Sequence, residues 1–154
     1  MMKTKVLLIT LGIIALLVLY FWWLFGANQP YKFRQELDQI VKIEIVKKEQ
    51  DTGGYDVPKV VLKTIDPSEY KAFIEDLKKV EGVRIGMHQG LGFGMYIIRI
   101  TYKNGEIELI SDYNNGYIST DGKVHEDAYS MNKEQFYDFL SRVLGEEVTE
   151  PTFK

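Results

Sequence analysis

The stretch "VLLITLGIIALLVLYFWWLF", Val6 to Phe25, carries no charged residue over 20 positions. As a helix rising 1.5 Å per residue it would be about 30 Å long, the thickness of the hydrocarbon layer of a bilayer. Only Thr10 and Gly12 interrupt its apolar character, and a membrane helix tolerates both. Aromatic residues crowd its C-terminal end, where Tyr20, Trp22 and Trp23 are expected to sit at the membrane interface. A cleaved secretory signal would have a shorter core of about 7 to 15 residues and a small-x-small site. Here Leu24 or Phe25 stands three positions before a cut after Gly26 or Ala27, and bulky residues block such cleavage. Residues 1–30 therefore read as an uncleaved signal-anchor transmembrane helix with a short tether, "GANQP". Lys3, Lys5 and the free amine favour a cytoplasmic N-terminus, although Lys32 and Arg34 beyond the run weaken the asymmetry. The expected location is the cell membrane, single-pass, with an extracytoplasmic C-terminal domain.

That leaves roughly 120 residues, enough for one modest core. With Lys3 and Lys5 set aside from the 19 basic residues, 17 face 22 acidic ones, so the remainder carries about −5. A mildly acidic domain lacks the basic face that general nucleic-acid binding requires, and no nucleic-acid partner is expected. The chain has no cysteine, which excludes disulfides, thiolate catalysis, cysteine-ligated zinc and a lipidated cysteine anchor.

Residues 31–146 read as an α+β domain, and 147–154 as a polar tail. "QIVKIEIVKK" alternates, with Val41, Ile43 and Ile45 on one face and Lys42 and Glu44 on the other. "VPKVVLKTI" is a second strand, with Pro58 at its start. "DPSEYKAFIEDLKKVEG" is a helix: Asp66 caps it, Pro67 takes the first position, Glu69 completes a capping box and Gly82 stops it. Its apolar stripe is Tyr70, Phe73, Ile74, Leu77 and Val80. "VRIGM" is a short strand. "MYIIRITYKNGEIELIS" is a hairpin around Asn104-Gly105. A two-residue turn would pair Tyr102 with Ile107 and Ile100 with Leu109 on the core face, and Thr101 with Glu108 on the solvent face. Further turns are expected at Asn115-Gly116 and Asp121-Gly122, and "NKEQFYDFLSRVLG" is a second helix between Asn132 and Gly145. The expected fold is an N-terminal transmembrane helix followed by a mostly antiparallel sheet with two helices packed on one face.

The segment "MHQGLGFGMY" invites a phosphate-loop reading. It runs G-x-G-x-G into a strand, so it lacks both the G-x-G-x-x-G spacing and the helix N-terminus that would hold a phosphate. It reads as a strand connection, and as a speculative partner-binding loop of His88, Gly90, Leu91, Gly92, Phe93 and Gly94. Leu91 and Phe93 are expected to pack back on the sheet. His88 and His125 show no metal-ligand spacing, and "DYNNGYISTDGK" has Lys123 where a calcium loop needs its bidentate Glu. No metal or cofactor is expected. No nucleophile elbow occurs, and no carboxylate pair stands out as acid and base, so no catalytic residue is assigned.

The anchor, "IVKIEIVKK", "DPSEYKAFIEDLKKV", "YIIRITYKNGEIELIS" and "NKEQFYDFLSRVLG" together resemble small extracytoplasmic domains of Gram-positive bacteria, found in membrane-anchored or lipoprotein forms and of unassigned function. The resemblance covers most of residues 36–145. It implies a location and a fold type, and no chemistry; without a lipobox cysteine only the membrane-anchored form applies. The expectation is a non-enzymatic binding module whose partner is a membrane or cell-envelope protein or a peptide. The alternatives are an immunity or inhibitor protein acting on an external enzyme, and a small extracytoplasmic hydrolase.

Overall fold

The computed structural model describes residues 2–26, 29–49, 55, 59–84, 92–127 and 129–149; within the first helix, side chains are described for residues 10–22. Helix α1 runs Met2–Gly26. Its described large apolar side chains, from Leu11 to Trp22, are all exposed, Trp22 at 68 %. Taken over the described residues alone, no helix is long and apolar enough to cross a membrane.

The rest is α+β, and every strand pair described is antiparallel. Strands β2 (Ile40–Lys48), β3 (Lys59–Thr64), β5 (Tyr96–Tyr102), β6 (Ile107–Ile110), β7 (Gly116–Ile118) and β8 (Val124–Glu126) form a six-stranded sheet in the order β3-β2-β5-β6-β7-β8. A smaller sheet joins β1 (Gln29–Pro30), β4 (Glu81–Arg84) and β9 (Tyr129–Met131) in the order β1-β4-β9. A single sheet was expected, and β4 instead belongs to this second one.

Helices α2 (Tyr70–Leu77) and α3 (Lys133–Leu144) cover one face of the large sheet. Phe73, Ile74 and Leu77 from α2, and Phe136, Phe139 and Leu140 from α3, pack with Ile43, Ile45, Ile98, Ile100 and Ile110. Both caps form where the sequence places them, although Glu69 makes no capping-box bond. The Asp66 carboxylate accepts from Ser68 N at 2.9 Å, and a 3-10 turn over Pro67–Glu69 leads into α2. Asn132 accepts from Gln135 N at 3.2 Å, and Gly145 closes α3 with φ 74°. Two further details differ. Gln135 turns its side chain away from the cap and accepts from Glu81 N at 2.8 Å, which ties α3 to β4. Gly82 does not stop α2; it lies in β4, paired with Gln29 and Met131.

The β5–β6 hairpin departs from the expected register by one residue. Tyr102 N donates to Glu106 O, and Gly105 N to Tyr102 O, so the loop holds three residues, with Gly105 at φ 88°. A three-residue loop of this kind ends on a left-handed glycine and adds a bulge. The pairs become Ile98–Ile110, Arg99–Leu109, Ile100–Glu108 and Thr101–Ile107. Because side chains alternate, this slip moves Glu108 to the helix-covered face and Leu109 to the other. The β7–β8 loop repeats the pattern, with Ser119 N on Lys123 O, Gly122 N on Ser119 O and Gly122 at φ 83°.

Three further expectations are corrected. Val41 is the extra residue where the β2–β5 register shifts between Ile40 and Lys42, and it is exposed rather than core. Asn115-Gly116 is not a turn: Gly116 opens β7, and Asn115 is buried with its N–H on Tyr129 O. Val148, assigned to the tail, is buried against the core, its N–H on Ser141 Oγ at 2.9 Å.

The opposite face of the sheet is not open to water either. Glu44 is buried there between Arg99 (2.5 Å) and Lys42 (2.5 Å). Beside this ion pair Val46, Phe93, Ile97 and Leu109 form a second small core, with Tyr55, Ile107 and Ile118 at its rim.

Candidate functional site

One row of the helix-side face runs Ile43–Ile100–Glu108–Tyr117–His125 across four pairings of neighbouring strands' residues. Directly opposed residues point the same way, so apolar side chains give way to polar and aromatic ones along this row. The helices' core extends over Ile43 and Ile100. The polar end is covered by the segment that follows β1, residues 31–39, which acts as a strap.

Glu108 is the strap's fixing point. It is 0 % exposed. Its carboxylate accepts from Tyr31 OH and Tyr102 OH, and from Arg34 N at 3.3 Å. Gln35 Nε2 donates to Glu106 Oε2 at 3.0 Å, and Lys103 N to Gln39 O at 2.8 Å, so the strap is bonded to the hairpin along its length. The Arg34 guanidinium lies 3.4 Å over the Tyr117 ring, and His125 stacks on that ring at 4.6 Å. Burial pushes the Glu108 carboxyl above its ordinary range, and the hydrogen bonds from Tyr102, Tyr31 and Arg34 N only partly offset this. Burial and the adjoining Glu108 raise both phenols in turn, Tyr31 with a further push from Asp127. Both carboxylate oxygens are thus engaged and shielded from solvent. In this arrangement Glu108 holds the strap rather than meeting a ligand.

Between strap and α2 lies a cleft of 480 Å³, lined by Tyr31, Lys32, Phe33, Arg34, Glu36 and Lys78 among others. Phe33 is set edge-on to Tyr31 at 5.2 Å, and Lys78 Nζ lies 5.9 Å from its ring centre. Three cations against one carboxylate make this lining basic in a domain that is acidic overall. A second cleft of 400 Å³ between α2, α3 and β3 carries the Arg142–Asp76 pair at 3.2 Å and brings no comparable excess of charge.

The glycine segment is only partly described. His88, Gly90 and Leu91 lie outside the described residues. Phe93 points inward, 3 % exposed, against Val46, Ile97 and Leu109, with Tyr55 edge-on at 5.8 Å. Gly92 N donates to Glu126 Oε1 at 2.9 Å and Gly94 N to Ser111 Oγ at 3.1 Å. A side chain at Gly94 would overlap the Asp112 carboxylate, and one at Gly116 would overlap the His125 carbonyl oxygen on β8 and crowd the Phe93 ring. Gly94 and Gly116 therefore serve close packing against the sheet. Of the interface aromatics, Tyr20 and Trp22 are exposed on α1, while the Trp23 side chain lies outside the described residues. Among the described residues no group of three or more His, Asp or Glu is placed to hold a metal ion.

The residues that do converge, Tyr31, Arg34, Tyr102 and Glu108, carry no sequence motif. The one available signal was the "KNG" loop: read as three residues rather than two, it puts Glu108 inside. Comparison with known proteins returns no matching family model, no matching curated protein and no matching solved structure.

Proposed function

We propose that the chain is a single-pass membrane protein whose extracytoplasmic α+β domain is a binding module rather than an enzyme. The observation that carries this reading is α1, whose side chains over Thr10–Trp22 are exposed and almost wholly apolar. An apolar surface of that extent is unfavourable in water, and a bilayer is the medium that satisfies both the side chains and the helical backbone. In the sequence Val6–Phe25 is an uncharged run of 20 residues, about the length that crosses the hydrocarbon layer as a helix.

Binding is supported by β3. Among the described strands it pairs only with β2, and Val60, Val61 and Leu62 on it are exposed. A strand at the edge of a sheet, flanked by exposed apolar side chains, accepts an added strand from a partner protein or peptide. The hydrolase alternative would need Glu108, the carboxylate that burial perturbs most clearly, to reach a substrate, and the strap stands in the way.

Alkaline carbonate washing of native membranes should leave the full chain in the pellet, and protease added to intact cells with a permeable envelope should digest residues beyond Tyr31. Release by carbonate would sink the anchor. Retention with complete protease protection would reverse the orientation.

A further inference from the structure

We propose that the cleft between the strap and α2 binds the phosphate of an anionic phospholipid headgroup, taken from the bilayer that holds α1. This inference rests on the anchor reading above.

The cleft is of a size that accommodates a small ligand, 480 Å³. Lys32, Arg34 and Lys78 line it against the single carboxylate of Glu36. Such a lining runs against the domain's acidic balance, so it is local and not a by-product of overall charge. Arg34 is held by its main-chain N–H on Glu108 and by its guanidinium on Tyr117, which limits the freedom an anion would otherwise have to freeze out.

Covalent reach supplies the ligand's source. Lys32 follows Gly26 by six residues, so the chain holds it within about 22 Å of the end of α1. A cleft so tethered meets headgroups at high effective concentration, whereas a free anion enjoys no such advantage. Basic side chains beside aromatic rings suit that interfacial layer, and Tyr31 and Phe33 supply the rings.

The full chain is reconstituted in nanodiscs of phosphatidylcholine alone and of phosphatidylcholine with phosphatidylglycerol, and backbone amide exchange is followed over residues 31–37 and 74–78. Co-elution with discs of either kind reports on the anchor separately from the cleft; failure to co-elute overturns the anchor reading and this proposal with it. Slower exchange in the phosphatidylglycerol discs is expected. Lys32→Gln and Lys78→Gln should each reduce that protection about fivefold, the effect of roughly one basic residue near an anionic surface. Lys123→Gln, distant in sequence and already paired with Asp121 at 2.8 Å, should leave it unchanged. Equal exchange in both discs overturns the proposal. So does an equal loss on Lys123→Gln, which would mean diffuse attraction. Full protection by millimolar inorganic phosphate in discs lacking phosphatidylglycerol, with no gain when that lipid is added, overturns the lipid as source.

Discussion

Glu108 illustrates how a single carboxylate sets local geometry without being exposed to any ligand. Two phenols and a main-chain amide satisfy its oxygens, yet burial still holds its carboxyl above the ordinary range. The sign of the resulting pH dependence follows. A group whose folded-state pKa is raised binds more protons in the native state, so its stabilising contribution is complete below its ordinary value and is lost as pH rises through the raised one. Glu44 runs the other way. Burial raises it, but Lys42 and Arg99 outweigh burial and lower it overall, so its contribution is lost only as pH falls below the ordinary carboxylate range. Glu108→Gln keeps an acceptor for the phenols and removes the buried charge. It should therefore be more stable than the parent near neutral pH, on the order of 1 kcal/mol. The advantage should shrink toward pH 4, as read by denaturant melts across that range. A variant less stable than the parent at neutral pH would mean that the charge itself holds the strap.

At the scale of elements, the β5–β6 loop decides which residues reach the core. Gly105 sits at φ 88° with open space where a side chain would go, so Gly105→Ala meets backbone strain and no clash. It should cost about 1 kcal/mol in a denaturant melt; no loss would mean that the loop relaxes to another turn. Strand β3 carries the binding half of the proposed function. Its outer edge lies beside exposed Val60 and Leu62, and Lys63 turns inward to donate to Val143 O at 2.7 Å near the end of α3. The double variant Val60→Lys, Leu62→Lys places charge where an added strand would lie. Each change should alter stability by no more than about 0.5 kcal/mol. Recovery of crosslinked partners from native membranes should fall about tenfold, equivalent to 1.4 kcal/mol. Unchanged recovery would move the partner surface away from this edge.

For the molecule as a whole, the two cores lie on the two faces of one sheet and draw on residues beyond α1. Residues 31–154 alone should accordingly be soluble and melt in one cooperative transition, followed by circular dichroism and by Tyr fluorescence. Two separated transitions would mean that the strap, relieved of its tether, no longer belongs to the same cooperative unit. This fragment keeps Tyr31, so the strap's bond to Glu108 is preserved in the test.

Local chemistry was legible from the sequence wherever one segment specified its own shape. The caps at Asp66 and Asn132, the closing Gly145 and the apolar stripe of α2 follow from contacts within a few residues, and the structure reproduces them. The antiparallel α+β class follows from alternation and turn residues in the same way. What lies between segments did not follow. "KNG" is compatible with two loop lengths, and the choice moves Glu108 from one face of the sheet to the other. Gly82 and Gly116 look like punctuation in the sequence, but each pairs within a strand. Tyr31 and Glu108 lie 77 positions apart, and only the folded sheet brings them together. The sequence by itself determined the apolar N-terminal run, the two packed helices and the order of the main elements along the chain. Tertiary structure alone decided the register, the strap and the basic cleft, because burial of a polar group depends on which distant residues arrive to cover it.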